Sequence, residues 1–230
     1  MTDPWQGPVT DQWEPAHVLD SELVHQGGKW NVVVETAKIG GHHVRRDIVV
    51  HPGAVAIVVL NDMNQVYLLR QYRQPLGAFL FETPAGLLDD PSEQPLAAAQ
   101  RELAEEAGLM AQNWHVLVDF LNSPGGSSEA IRVYLATDVT EIVGGRQHTG
   151  EAEEIDLPGV WLDLNSAVDS ILDGSLGNPT TVVGVLAAEA ARAAGWRHLR
   201  DASSPWRARE NLWSIGRLPV GQIADPSAVV

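Results

Sequence analysis

The 230-residue sequence has no cysteine, few basic residues and no long apolar run. Without cysteine the chain has neither disulfide bonds nor thiolate metal ligands, and it fits a reducing compartment. No apolar stretch approaches the roughly 20 residues that span a bilayer, so contact with a membrane is not expected. The first residues carry neither the basic start nor the apolar stretch of a signal peptide. These absences predict a cytoplasmic protein.

Basic side chains are scarce, because 15 Lys and Arg stand against 30 Asp and Glu, for a formal net charge of −15. Binding of nucleic acid through general electrostatics needs a basic surface, so no nucleic-acid partner is expected. An anionic small-molecule substrate would need metal ions and locally placed arginines.

The order of predicted elements is strands, one helix, further strands and two final helices. Residues 1 to about 20 are expected to be an irregular lead-in, and Lys29–Ile39 and His42–Val50 to form a β-hairpin around Gly40-Gly41. Further strands are expected at residues 54–60, 65–73, 79–82, 114–121, 130–136 and 160–162. Asn165 is expected to cap one late helix and Asn178-Pro179 to begin the other. This order predicts α/β/α layering around a mixed sheet.

The stretch from Ala85 to Leu109 organises the chain. Pro95 suits a first helical position, the alanine-rich run after it favours a helix, and Gly108 provides a stop. Apolar residues recur at spacings of three and four and predict a core-facing stripe: Leu96, Ala99, Leu103 and Ala107. A second face carries three carboxylates, from Glu102, Glu105 and Glu106. Because such carboxylates repel one another and hard cations prefer their oxygens, this face predicts a divalent metal site; a solvated acidic face is the alternative.

A longer pattern extends over residues 86–109, which we call the box. From Gly86 it runs through six residues to Glu93 and seven more to Arg101-Glu102-Leu103-Ala104-Glu105-Glu106-Ala107-Gly108-Leu109. This pattern resembles the signature of the Nudix hydrolases, which cleave nucleoside diphosphates linked to another moiety. The family has five residues between the glycine and the first glutamate. The extra residue here precedes the helix and leaves the helical register intact.

Features outside the box resemble the ADP-ribose pyrophosphatase branch, actinobacterial type, over roughly residues 42–190. They are the N-terminal strands, Arg73 before the box, the segment Phe81–Leu87 and the loop Ser123–Glu129. The resemblance implies a Nudix α/β/α sandwich with a mixed sheet and an N-terminal antiparallel β subdomain. It implies a lead-in and dimerising hairpin subdomain at 1–51, a Nudix hydrolase domain at 52–205 and a C-terminal tail at 206–230. It also implies a domain-swapped homodimer.

The resemblance implies a set of site residues as well. The metal ligands would be Glu102, Glu106, the nearby Glu105 and the carbonyl of Ala85, with several Mg²⁺ ions and Mn²⁺ as a possible substitute. Arg101 and Glu93 would organise the box. The catalytic group would include Glu106 and a base from a downstream loop, where Glu153 is favoured and Glu151 and Glu154 stay open. The substrate-binding candidates are Arg73, Arg45, Arg46, Glu82 and Trp30. A surface role for Arg73 and a hairpin-core role for Trp30 are the alternatives.

The reaction that the resemblance implies is Mg²⁺-dependent hydrolysis of ADP-ribose to AMP and ribose 5-phosphate. Cleavage of another nucleotide sugar stays open, because substrate-contacting side chains lie outside the box. A non-catalytic ligand sensor is a further alternative. The presence of Glu102, Glu105 and Glu106 favours an enzyme over a sensor.

Overall fold

The computed structural model describes residues 4–146 and 157–217. The strands in these segments are β1 His17–Gln26, β2 Asn31–Ile39, β3 His42–Val50, β4 Ala54–Val59, β5 Gln65–Arg73, β6 Ala78–Glu82, β7 Ala85–Leu87, β8 Leu109–Leu121, β9 Ala130–Glu141, β10 Gly159–Asp163 and β11 Arg200–Asp201. The helices are α1 Pro95–Glu102, α2 Leu164–Leu172, α3 Pro179–Ala193 and α4 Arg207–Ser214. A π-helical turn, Leu103–Ala107, continues α1 up to Gly108. None of the helices in the described segments combines the length and the apolar character needed to cross a membrane.

A five-stranded sheet, the central sheet, forms the middle of the molecule in the order β11-β8-β9-β4-β7. β4 and β9 are parallel, whereas the other neighbouring pairs are antiparallel. The predicted mixed sheet is therefore confirmed. A second sheet has the order β10-β5-β6, and β1, β2 and β3 form the N-terminal sheet.

Strand β4 separates two apolar cores. All six of its residues are buried, and successive side chains point to opposite faces. Val55 and Ile57 pack with residues of α1 in one core, and Ala56 and Val58 pack with residues of α2 and α3 in the other. Helices thus cover both faces of the central sheet, which confirms the predicted α/β/α sandwich.

The N-terminal sheet has one strand more than the predicted hairpin. β2 and β3 turn at Gly40-Gly41 as predicted, but β1 begins inside the segment predicted to be irregular. Every residue of β1 is exposed, and its pairing with β2 shifts register between Val18 and Asp20 and between Leu23 and His25. The prediction of an irregular segment was wrong here, because an exposed and bulged strand lacks the alternating apolar pattern of a half-buried one.

Of the two predicted caps of the late helices, one differs from the structure and one agrees with it. Asp163 caps α2 by accepting hydrogen bonds from the backbone N–H groups of Asn165 and Ser166, both at 3.0 Å. The predicted cap, Asn165, was wrong because this residue already lies in the first turn. Asn178 caps α3 as predicted and accepts from the N–H groups of Thr180 and Thr181.

The segment beyond Arg197, for which no element was predicted, joins three parts of the fold. Trp206 is only 5% exposed and packs in the α1-side core. Nη1 of Arg209 donates to the carbonyl of Pro52, in the linker between β3 and β4, at 3.1 Å. Arg217 donates two hydrogen bonds of 2.7 Å to the carboxylate of Glu35 on β2. The C-terminal segment therefore fastens the N-terminal sheet to the rest of the molecule.

Candidate active site

The box helix has the limits and the buried stripe that its sequence predicts. Pro95 is its first residue, and Gly108 ends the π-turn with a left-handed φ of 65°. Ala99 and Leu103 are fully buried, while Leu96 and Ala107 pack partly buried against the same core. The acidic face is thereby turned towards β7 and the loop that precedes the helix.

Arg101 binds three of the box carboxylates. Its Nε and Nη2 donate to the two carboxylate oxygens of Glu93, both at 2.9 Å. Its Nη1 donates to Glu102 at 2.9 Å and to Glu105 at 2.8 Å. These hydrogen bonds, that to Glu93 foremost, raise the pKa of Arg101 above its ordinary value. The guanidinium therefore ties the loop to the helix, the organising role expected for Arg101 and Glu93.

Glu102 lies across strand β7 at Gly86. The residue is only 8% exposed. A Cβ atom at position 86 would lie 2.0 Å from Oε1 of Glu102 and 2.2 Å and 2.3 Å from its Cδ and Cγ. Glycine is thus needed at position 86 because the side chain of Glu102 occupies the space that any Cβ would fill.

Glu106 contacts the backbone of the same strand. Its Oε2 accepts a hydrogen bond of 2.9 Å from the N–H of Ala85, and the residue is 7% exposed. Ala85 is held in turn by its pairing with Ala56 of β4. Strand β7, at the edge of the central sheet, thus positions two nearly buried carboxylates: Glu106 lies at Ala85 and Glu102 at Gly86.

The donors fit a divalent cation in type and in charge. Within residues 4–146 and 157–217, no three His, Asp or Glu side chains are gathered closely enough to bind one ion, and Glu102 and Glu105 each direct one oxygen to Arg101. The group of Glu93, Glu102, Glu105, Glu106 and Arg101 nevertheless has four carboxylates for one guanidinium. Hard oxygen donors with excess negative charge and little exposure are the environment that Mg²⁺ favours.

Arg73 and Glu82, two predicted substrate-binding residues, bind each other. The guanidinium donates from Nε to Oε1 at 2.8 Å and from Nη2 to Oε2 at 2.5 Å, so the pair is bidentate. Glu82 is 3% exposed, whereas 41% of the side chain of Arg73 is exposed. A buried carboxylate therefore holds a partly exposed guanidinium in a fixed direction.

The other substrate-binding candidates belong to the N-terminal sheet and the turn before β2. Arg45 and Arg46 are exposed neighbours on β3, so their side chains leave opposite faces of the sheet. Trp30 is 44% exposed and stacks on His51, with ring centroids 5.3 Å apart. Its neighbour Lys29 reaches Asp89 in the box loop at 3.4 Å. Trp30 therefore packs against the linker and is not enclosed in the core of the hairpin.

The candidate bases Glu151, Glu153 and Glu154 lie outside the described residues. The chain that leads to them passes over the end of the box helix, where the backbone N of Arg146 lies 2.9 Å from the Cβ position of Gly108. Nη1 of Arg146 also donates to the carbonyl of Glu106 at 3.4 Å. A cavity of about 440 Å³, lined in part by Tyr67 and Trp161, lies beside this contact.

Sequence reasoning missed the threonines that anchor the segment before β7. The N–H of Thr83 donates to Oγ1 of Thr181, and Oγ1 of Thr83 donates to Oγ1 of Thr180, both at 3.1 Å. These bonds fasten the chain between Glu82 and Ala85 to the N-terminus of α3. The Asn178-Pro179 sequence indicated the start of that helix, but its partner across the fold has no local sign in the sequence.

Comparisons with known proteins agree with this geometry. The NUDIX domain family matches residues 50–180. The ADP-ribose pyrophosphatase of Mycobacterium tuberculosis is 38% identical over 200 residues, which cover 86% of this chain and 95% of that protein. The methanol dehydrogenase activator of Bacillus methanolicus is 32% identical over 170 residues, or 73% and 89% of the two chains. A crystal structure of an ADP compounds hydrolase has the same fold, with a TM-score of 0.67 and 23% identity over 81% of this chain and 99% of that chain.

The chain belongs to the Nudix family, and the family assignment predicted from the box is confirmed. Nudix hydrolases generally use divalent metal ions.

Proposed function

We propose that this protein is a cytoplasmic, Mg²⁺-dependent hydrolase of the diphosphate bond of ADP-ribose, with AMP and ribose 5-phosphate as products. The observation that carries the proposal is the pair of nearly buried carboxylates, Glu102 and Glu106, held against β7 beside Arg101. The similarity to the ADP-ribose pyrophosphatase of M. tuberculosis, which extends over 86% of the chain, supports this choice of substrate.

The mechanism assigns a separate task to each group of residues. The carboxylates of Glu102, Glu105 and Glu106 and the carbonyl of Ala85 would hold the divalent ions. Such ions, Mg²⁺ or in its place Mn²⁺, would supply Lewis acidity and would lower the pKa of a bound water. Arg101 keeps the box loop and helix in register.

Arg73 and the loop residues act on the substrate itself. Arg73, oriented by Glu82, binds an oxygen of the diphosphate. The carboxylate of Glu153, with those of Glu151 and Glu154 as the alternatives, accepts a proton from water as the water oxygen attacks one phosphorus. The bridging P–O bond then breaks, and its electron pair stays on the departing phosphate. The hydroxyl of the water stays on the attacked phosphorus, and the proton passes from the glutamate to the departing phosphate, so water is divided between the two products.

The first experiment is AMP release from ADP-ribose with Mg²⁺, measured beside a panel of sugar nucleotides. Wild type, Glu106→Gln and the exposed control Glu210→Gln form the set. We expect rapid cleavage of ADP-ribose by wild type and the control, and loss of cleavage in Glu106→Gln. If a sugar nucleotide is cleaved faster than ADP-ribose, that nucleotide takes the place of ADP-ribose as the proposed substrate. If the protein binds ADP-ribose but cleaves no member of the panel, the result would reject the hydrolase and favour a non-catalytic ligand sensor.

Replacement of the candidate base gives the next prediction. Glu153→Gln should lower kcat by at least about 10²-fold, because that is the usual contribution of general-base catalysis. The variants Glu151→Gln and Glu154→Gln provide the comparison within the same loop. Near-normal turnover of Glu153→Gln, with a loss in one of its neighbours, would move the base to that neighbour.

We also propose a domain-swapped homodimer formed through the N-terminal sheet. β1 is an edge strand whose apolar side chains Val18, Leu19, Leu23 and Val24 are 43–49% exposed. Such an edge is usually covered, since exposed strands bind further chains. In the dimer Trp30, Arg45 and Arg46 would approach the partner's site. Sedimentation should give a dimer for wild type and a monomer for Leu23→Asp; a monomeric wild type would contradict the proposal.

A further inference from the structure

A small cavity lies where the C-terminal helix meets the linker between β3 and β4. Its lining includes His51 and Gly53 of the linker, Ala130 of β9, and Trp206, Arg209 and Arg217 of the C-terminal segment. Its volume is about 10 Å³, which limits its content to one water molecule or one monatomic ion. The cavity is far in sequence from the box and has no part in the proposed hydrolysis.

Trp206, which lines this cavity, carries a buried hydrogen-bond donor. The residue is 5% exposed, and its Nε1 is buried without an acceptor among the residues that the structure describes. An indole nitrogen only donates, so its acceptor has to come from outside the residues that the structure describes. Buried donors in native proteins nearly always have a partner, which makes this one a sign of a bound species.

Arg209 brings a positive charge. Burial lowers the pKa of Arg209 below its ordinary value. Its Nη1 donates to the carbonyl of Pro52 at 3.1 Å, and the ion pairs found in the described part of the chain do not include it. The neighbouring Arg132 and Arg217, in contrast, are paired with Asp119 and Glu35. The charge that needs an anion is therefore that of Arg209.

The nearest carboxylates do not exclude an anion. Glu35 is neutralised by two hydrogen bonds from Arg217. Glu129 lies 3.6 Å from Nε2 of His51, on the other side of that ring from Nδ1, which accepts the N–H of Gly53. A water molecule would satisfy the indole N–H, but it would leave the guanidinium without a counter-charge.

We propose that this cavity binds one small inorganic anion, chloride, between Nε1 of Trp206 and the guanidinium of Arg209. The ion connects the start of α4 to the linker that Arg209 already contacts through Pro52. Because the unfolded chain has no such site, chloride stabilises the folded protein in a saturable way. At a hundred times its Kd, the ion raises the unfolding midpoint by about 5–10 °C for a chain of this size.

The test is thermal unfolding of the full chain in sodium chloride and sodium gluconate at constant ionic strength. Wild type should show a chloride-dependent rise of the midpoint that saturates. The rise should disappear in Trp206→Phe, which keeps an aromatic ring but lacks the N–H, and in Arg209→Met. Arg207→Met, an exposed position on the same helix, is the matched control and should behave as wild type.

A crystal soaked in bromide provides a second measurement that does not depend on the variants. An anomalous peak between Trp206 and Arg209 would support the proposal. Equal midpoints in chloride and gluconate, or a crystal with water but no anomalous peak in the cavity, would overturn it.

Discussion

Gly86→Ala tests whether the carboxylate of Glu102 has to lie against β7. Gly86 is not among the glycines with positive φ, so alanine adds no backbone strain there. The new Cβ would lie 2.0–2.3 Å from three side-chain atoms of Glu102. Relaxed contacts between carbon atoms are about 3.5–4.0 Å, so the side chain must retreat by more than about 1 Å.

This displacement should affect catalysis much more than folding. A misplacement of about 1 Å at a reacting site costs on the order of 10²-fold in rate, and we expect that loss in kcat/KM together with a higher Mg²⁺ requirement. Alanine in place of glycine stabilises the folded chain by about 0.4–1 kcal/mol through the unfolded state. That gain offsets much of the cost of turning one glutamate, so the unfolding midpoint should change by only a few degrees.

The assay is a Mg²⁺ titration of ADP-ribose hydrolysis, with unfolding midpoints measured on the same samples. Gly177→Ala is the matched control, because a Cβ there meets no atom within 4 Å and its φ is not positive. Unchanged kcat/KM of Gly86→Ala at every Mg²⁺ concentration would refute the reasoning. An equal loss in Gly177→Ala would assign the effect to glycine replacement in general.

Two further predictions concern the end of the box helix and the linker. Gly108 and Gly195 share a φ of +65°, but only at Gly108 would a Cβ meet a neighbour, the backbone N of Arg146 at 2.9 Å. Backbone strain should therefore lower the stability of both alanine variants by about 1–2 kcal/mol. Gly108→Ala should lose more stability than Gly195→Ala and should also lose turnover. Equal losses in the two variants would show that the contact with Arg146 is unimportant. Burial lowers the pKa of His51 in the folded protein below its ordinary value. As pH falls below about 6.5, His51 is therefore protonated in the unfolded chain before it is protonated in the folded one, and the free energy of unfolding should decrease. His51→Asn should show a shallower decline in chemical denaturation over that window, and identical slopes would contradict the assignment.

The box could be predicted from the sequence because its determinants are local. Pro95 and Gly108 mark the helix limits, and the spacing of Ala99 and Leu103 identifies the buried face. The alternation along β4 similarly follows from a continuous apolar run that is covered on both faces. In these elements the neighbours in sequence are sufficient to define the structure.

Other features depend on residues far apart in the sequence. The contact of Thr83 with Thr181 spans 98 positions, and the pairing of Arg73 with Glu82 is possible only because β5 and β6 are neighbours. β1 has no buried side of its own, so its strand structure depends on β2. Periodicity along a single segment cannot detect such pairings.

The bond between Arg217 and Glu35 has a consequence for the order of events during synthesis. The two residues are 182 positions apart, and Arg217 is at the end of the described chain. The three strands of the N-terminal sheet are complete by Val50, so they can pair while most of the protein has yet to be made. Their last attachment to the remainder, the bond between Glu35 and Arg217, must wait until α4 and Arg217 have left the ribosome. A nascent chain stopped before Arg217 would therefore carry a formed N-terminal sheet without its last fastening, and its exposed edge would be available to other chains.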